Sequence, residues 1–470
     1  MSRKIYLFLI VFVIGLGCRL YKLKSREIHF DEKASIGCSV GIPFAGIYQT
    51  RSSTWEELKI NPDHFSSADF WKYNSIKNVY NSTLEDNGSI LYFTTLHYWT
   101  NLFGTKIFTY RLYSAIFSLA VVIAIYFFTF ELFGSWYVSF VAALLLALHP
   151  LHISSGQFTR SHSMACFFTC CATYFFFRLL RDKNYKNIFL YALFCTAAML
   201  SHYFASYIIL GHFIYMLAVE RNKITWKYFI IAGTLSVSLF GIWMILGGLE
   251  GIRNLSEVNK QFQSYADHWK EGDNPYYTPF TLKTMIGGYI QVSLAITGNL
   301  FQELLNYSLS KLVVLTVLFW GTLAYIFFTM KSHLYRKEIY LLLILIAGYF
   351  IWATIISMRS NFIVYFQTGY SVYIVPYVCI LIAYLSQVLY QSGKDKLLYC
   401  FIVLQALVWS VSFYLYYDIN TSQKTPGVFY EVLAEKKLLE KDIITYPDWE
   451  TAFMVDLSLR QHPEIVQRIK

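Results

Sequence analysis

The chain has 470 residues, of which 56% are hydrophobic, 19% aromatic and only 14% charged. Soluble domains carry about a quarter charged residues, so this balance excludes an ordinary soluble enzyme and points to a polytopic membrane protein. The formal charge is +10. Most of the Lys and Arg fall in short loops between apolar runs, which fits membrane orientation and anionic head groups rather than nucleic acid.

A basic start followed by an apolar run, "MSRKIYLFLIVFVIGLGCRL", lacks a small-residue cleavage site and reads as a retained first helix. A hydrocarbon core of roughly 30 Å needs about 20 apolar residues per helix. Stretches of that kind stand at 4–22, 107–130, 137–153, 160–179, 187–201, 203–219, 227–248, 312–330, 339–357, 370–390 and 396–416. The expected fold is therefore an all-α polytopic membrane protein of about eleven spans. Two further apolar segments, 89–104 and 284–301, are expected to lie on the outer surface. With both outside the count and the N-terminus inside, "RLLRDKNYK" (178–186), "ERNKITWK" (220–227), "KSHLYRKE" (331–338) and "SGKDK" (392–396) all face the cytoplasm. The domain reading is a transmembrane unit over 1–416, with extracytoplasmic loops at 23–106 and 249–311, and an extracytoplasmic tail at 417–470. Stretches such as "TWEELKI" and "DFWKYNSIKNVY" in the first loop suit helices lying flat at the interface.

Seven of the eight cysteines lie in or beside apolar runs, and Cys38 alone sits in a polar loop. That pattern is neither a disulfide framework nor a zinc spacing.

The topology gathers acids and bases at the outer face. Asp31 and Glu32 follow the first span in "REIHFDEKAS", and Asp86 lies further along the same loop. Arg111 begins the second span. The outer turn "HPLHISSGQFTRSHSM" (149–164) brings Gln157 and Arg160, with His149 and His152 read as interface residues. "LSHYFASY" (200–207) brings His202, and the turn near 357–376 brings Arg359. If the turn at 157–160 is helical, Gln157 and Arg160 face one way. The bland reading of the acidic pair is a surface ion pair with Arg26 or Lys33, worth little. For Arg160 it is a residue snorkelling to head groups; for Arg111 it is an anchor or the partner of a loop acid.

At that depth a lipid-borne substrate presents its polar head. A polyprenyl-phosphate sugar already carries a good leaving group, so transfer needs one carboxylate base near the acceptor and a cation on the departing phosphate. Arg suits the second role because its planar fork holds phosphate oxygens bidentately.

"FDE", "DNGSILYFTTLHYW", the Pro-x6-Gln-x2-Arg turn and "LSHYFA", in that order, resemble the C-type membrane glycosyltransferases (GT-C), the group of protein O-mannosyltransferases, lipid A aminoarabinose transferases and bacterial family-39 enzymes. The likeness covers about residues 1–220, with a vaguer match near 370–390. It implies a GT-C fold and an inverting glycosyltransferase that moves a sugar from a polyprenyl monophosphate to a hydroxyl on a cell-envelope glycan, lipid or protein. It implies Asp31 and Glu32 as the catalytic acids, with Asp86, Arg160, Gln157, His202, Arg111 and Arg359 on substrate or phosphate. It implies an integral protein of the bacterial inner membrane whose site faces the periplasm, with membrane lipids and the lipid-linked donor as partners and no nucleic acid. No cofactor is required, although the side chains of Asp31, Glu32, Asp86 and His202 are of types that could ligate a divalent cation. Two departures stand out: Ser89–Ile90 replaces the Pro-Pro after Asp86, and Gly369–Tyr370 replaces the usual Arg-Tyr. The rival functions are a flippase or transporter of lipid-linked glycans, a polysaccharide polymerase or ligase using diphosphate-linked donors, and a member that only binds.

Overall fold

The computed structural model describes residues 3–24, 28–42, 74–85, 89–268, 278–297, 321, 336–361 and 368–394, with scattered positions between 396 and 410. Its helices, in chain order, are α1 (Arg3–Leu20), α2 (Phe30–Val40), α3 (Ile76–Glu85), α4 (Ile90–Phe103), α5 (Ile107–Phe133), α6 (Trp136–Leu148), α7 (Pro150–Gly156), α8 (His162–Arg181), α9 (Tyr185–Ser201), α10 (Tyr207–Ala218), α11 (Lys223–Trp243), α12 (Leu249–Asp267), α13 (Leu282–Ile296), α14 (Arg336–Ser360) and α15 (Val375–Gln391). Helices stand at nine of the eleven expected span positions. The stretch 312–330 lies outside the described residues apart from Gly321, and 396–416 is described only in part. Among the described residues four helices are long and apolar enough to cross a membrane alone: Ile107–Phe133, His162–Arg181, Lys223–Asn254 and Lys337–Ser360. A fifth crossing forms if α6 and α7, bent by 61° at their junction, make one span.

Local chemistry sets the ends of these elements. Ser135, Asn184 and Asn222 cap α6, α9 and α11, each side chain accepting a first-turn N–H. Pro150 opens α7, where its missing N–H costs nothing. Gly41 closes α2 at φ +88°, and a Cβ there would stand 2.4 Å from the Asn78 Cβ, so only glycine lets α2 turn this tightly against α3.

Two cores result. The large one joins α5, α6, α8, α9, α10, α14 and α15 in a bundle. Within it, α10 and α14 approach through Gly211 and Gly348, the close backbone contact that small residues allow between apolar helices. The smaller core is a cap: Ile36, Cys38 and Val40 of α2, Val79 of α3 and Tyr92, Phe93 and Leu96 of α4 pack on Tyr110 and Tyr113 at the start of α5. Cys38, expected in a polar loop, is buried there. The flank of α11 leaves Ile224, Ile230, Ile231, Val237 and Ile242 exposed. Such a stripe is unfavourable in water and natural against lipid. The chain is an integral membrane protein, and its cap layer presents α2 beside the turn that follows α7.

Candidate active site

The acidic pair begins α2, and its two members part company there. His29 is the N-cap: its Nδ1 accepts the Asp31 N–H at 3.2 Å, and the His29 N–H donates to Glu32 Oε2 at 3.2 Å. This reciprocal capping box makes Glu32 part of the helix start. Glu32 then receives two donors of the Arg111 guanidinium, Nε at 2.9 Å and Nη2 at 2.8 Å, with both side chains fully buried. Arg111 Nη1 also donates to the Leu23 carbonyl, and the Thr159 N–H donates to Glu32 Oε1 at 3.0 Å. Glu32, expected as a catalytic acid, and Arg111, expected on substrate or phosphate, bind α2, α5 and the turn after α7 to one another. Bidentate geometry with further hydrogen bonds is what allows a charge pair to be buried at all.

Asp31 points the other way. Its Oδ1 faces Arg160 Nη2 at 3.4 Å, with the two side chains 35% and 32% exposed. The His29 ring lies 3.8 Å from its other oxygen. Arg160 Nη1 also donates to Ser35 Oγ at 3.4 Å, one helical turn along α2. Burial is the largest single influence on Arg160 and works against its charge, but Asp31, Tyr370, Cys38 and Tyr92 together outweigh it, so the guanidinium's pKa is raised.

The turn bearing Arg160 is not helical between Gln157 and Ser161, so Gln157 and Arg160 diverge. The condition for their sharing a face, a helical turn, is therefore not met. Gln157 is buried, and its Nε2 reaches the carbonyls of Cys18, Arg19 and Tyr21 at 3.2, 3.2 and 2.8 Å. It finishes α1 by satisfying carbonyls left without helical partners. On the other side the turn is held by Ser89 Oγ on Ser161 Oγ at 2.9 Å, and by Ser114, whose hydroxyl donates to the Arg160 carbonyl at 3.4 Å and meets the Tyr92 hydroxyl at 2.8 Å.

Sequence reading placed His149 and His152 at the interface, yet both are buried. His152 Nδ1 accepts from Arg19 Nη2 at 2.7 Å, and His149 Nε2 meets the Ile296 carbonyl at 3.0 Å. Arg19 itself, 1% exposed, also donates to Ser118 Oγ and to the Gly15 and Ala147 carbonyls. Sequence reasoning passed over Arg19; the available signal was an arginine inside an apolar run, which must find internal partners.

His202 caps the 3-10 turn Tyr203–Ser206, its Nδ1 accepting the Phe204 N–H at 3.2 Å. Burial and then the charge of Arg160 push its pKa down to about 3, so the ring is neutral at any working pH. His162 stands beside it, ring centroids 5.1 Å apart. Arg359, at the end of α14, is exposed, and its backbone carbonyl accepts from Gln263 Nε2 at 3.4 Å. Asp86, the interfacial stretch 54–60 and the tail 417–470 lie outside the described residues. Among the described residues no three His, Cys, Asp or Glu side chains converge as a metal site would require, and all the described cysteines are free.

The arrangement can do simple chemistry. A half-open carboxylate at a helix start faces one guanidinium, with neutral imidazoles near the latter. Far away, at the other ends of α5 and α8, Glu131 pairs with Arg178 and Arg181. The twenty residues of α8 put about 30 Å between the two charged regions.

Comparison with known proteins agrees with this architecture. Residues 88–245 match the family model described as dolichyl-phosphate-mannose-protein mannosyltransferase. By sequence alone the chain matches none of the curated proteins. Among solved structures it is similar to ArnT from Cupriavidus metallidurans bound to undecaprenyl phosphate, with a TM-score of 0.53 at 12% identity over 98% of this chain and 76% of that one. It is also similar to the oligosaccharyltransferase AglB from Archaeoglobus fulgidus in complex with an inhibitory peptide and a dolichol-phosphate. There the TM-score is 0.51 at 12% identity, over 97% of this chain and 63% of the other. With a mannosyltransferase match across its central segment and these likenesses along almost its whole length, the chain has the fold of the C-type membrane glycosyltransferases.

Proposed function

We propose that the protein is an inverting glycosyltransferase that takes a sugar from a polyprenyl monophosphate and passes it to a hydroxyl acceptor on a cell-envelope glycan, lipid or protein. The observation that carries this reading is the Asp31–Arg160 pair, half-open and held at one end of the helical bundle. Asp31 removes the acceptor's hydroxyl proton as its oxygen attacks the anomeric carbon. The bond from that carbon to the phosphate oxygen breaks, and its electron pair leaves with the phosphate. Arg160 holds the departing oxygens with charge-assisted hydrogen bonds. A single in-line displacement inverts the anomeric centre. The site faces the extracytoplasmic side of a bacterial inner membrane, in keeping with the distribution of basic loops.

Glu32 and Arg111 keep α2 in register, and Gln157 keeps the outer turn against α1. Asp86 is assigned to the acceptor and Arg359 to the phosphate. No metal is needed for the step as written, because the leaving group is already a phosphate. The test is transfer by the protein reconstituted with lipid-linked sugars extracted from its host. Transfer that is unchanged in Asp31→Asn would sink the assignment of the base.

A further inference from the structure

The start of α11 lies at the end of the bundle away from the Asp31–Arg160 pair. The helices alternate in direction: the end of α9 meets the start of α8 through His202 and His162, and the end of α10 meets the start of α11 through Phe213 and Trp226. There α11 carries Lys223 and Lys227, both exposed and four residues apart, so they share one face. Among the described residues neither lysine pairs with a carboxylate. The arginines at this end are engaged: Arg178 and Arg181 meet Glu131, and Arg221 Nη1 donates to the Leu217 carbonyl at 3.3 Å. Glu220, the carboxylate closest in sequence, turns back on the chain and accepts the Asn222 N–H at 2.8 Å.

Beside the two lysines lies an open recess of about 450 Å³, which they line together with Trp226, Ile230 and Ile231. Trp226 is its fixed wall. Its Nε1 donates to the Glu220 carbonyl at 3.3 Å, and its ring stands edge-on to Phe213 and Phe229. Farther along the same face Thr234 and Ser238 are exposed, flanked by the exposed side chains of Val237 and Ile242. From Lys227 to Val237 the helix rises about 15 Å, half of a hydrocarbon core of roughly 30 Å. The face is thus cationic at one end and apolar for the depth of one leaflet.

We propose that this face of α11 binds one anionic phospholipid of the bilayer, with its phosphate at Lys223 and Lys227 and its acyl chains along Ile230, Ile231 and Val237. Charge selects the occupant. Two free ammonium groups attract a phosphate and repel the ammonium of a zwitterionic head group, so a lipid of net negative charge is favoured. Lysine suits the boundary, because its stem covers apolar surface while its charge stays among the head groups. Trp226 has the amphipathic ring found at that depth. A second copy of the chain fits this face less well. Copies share one orientation in a membrane, so a two-fold contact here would bring four lysines together.

The experiment is native mass spectrometry of the full chain, released from micelles that hold equal amounts of dioleoyl-phosphatidylglycerol and dioleoyl-phosphatidylethanolamine. The natural protein should retain one phosphatidylglycerol in preference to phosphatidylethanolamine by about tenfold or more, since each lysine near the surface supplies about fivefold. Lys223→Gln combined with Lys227→Gln should bring the two lipids to about equal retention. Lys183→Gln combined with Lys186→Gln removes the same charge from the neighbouring loop at this end and should leave the preference intact. Thr234→Trp keeps both lysines, fills the apolar face beyond them and should lower phosphatidylglycerol retention about threefold or more. Equal retention of the two lipids by the natural protein overturns the proposal. So does a preference that survives the 223/227 change, or one that falls as far with the 183/186 change, which would be a general attraction to basic loops. Unchanged retention in Thr234→Trp leaves charge without a groove and overturns it too. A dimer that Thr234→Trp breaks, with no lipid retained, would give this face to a second copy instead.

Discussion

Two adjacent carboxylates meet two arginines and come to opposite ends. Glu32 and Arg111 are fully buried and doubly bonded at 2.8 and 2.9 Å. Asp31 and Arg160 touch once at 3.4 Å, with about a third of each side chain open. The residue types are the same, and burial separates the roles. The closed pair cannot give up a partner without stranding a charge. In the open pair each member can exchange the other for a ligand at small cost, because exposed ion pairs are worth at most about 1 kcal/mol. A site that must bind and release charged groups needs the second kind, held in place by the first.

That contrast can be broken in several ways, the largest first. Asp31→Asn should lower transfer by about 10²- to 10⁴-fold, the usual worth of a general base, while the melting temperature in detergent stays within a few degrees. A melt that collapses along with activity would place Asp31 in the frame. Arg111→Ala should destabilise the fold by about 3–5 kcal/mol, read as loss of the folded peak on size exclusion, because Glu32 is left buried and alone. A variant that melts normally but fails to transfer would move Arg111 to the substrate. Arg160→Lys keeps the charge and loses the planar fork; kcat/KM should fall about tenfold or more with little change in stability.

The smallest effect concerns pH. His202 has its pKa lowered to about 3 in the folded protein, against about 6.5 when unfolded. Below about pH 6.5 the unfolded chain therefore binds a proton that the folded chain refuses. Stability from this group is complete above pH 6.5 and is lost as pH falls toward 3. Thermal melts of His202→Asn, which retains a side-chain acceptor for the Phe204 N–H, should show a shallower acid decline than the natural protein. Parallel curves would contradict the burial described here.

The helices were legible because a membrane segment writes itself as an uninterrupted apolar run, and α5, α8 and α14 stand where those runs stand. The fold class followed from the same runs and from the four ordered motifs. The division of labour within the site was less legible. Glu32 carried a usable sign, since His29 three residues earlier completes a capping box, although histidine is an unusual N-cap. Gln157 carried none, because whether it shares a face with Arg160 depends on where α7 stops, and element ends are the least readable feature of a sequence. The closeness of Gly369 and His162 joins positions 207 residues apart, and no local pattern records it.

The carboxamide of Gln157 has one last consequence. It ties the final turn of α1 to the segment that carries Arg160, while Arg19, one residue beyond Cys18, locks the same turn to α5 and α6. The end of α1 and the turn that bears Arg160 thus share a single joint. Bilayers of different thickness tilt and slide whole helices. Such movements carry the end of α1 and the turn bearing Arg160 together, so that junction is insulated from the lipid around it.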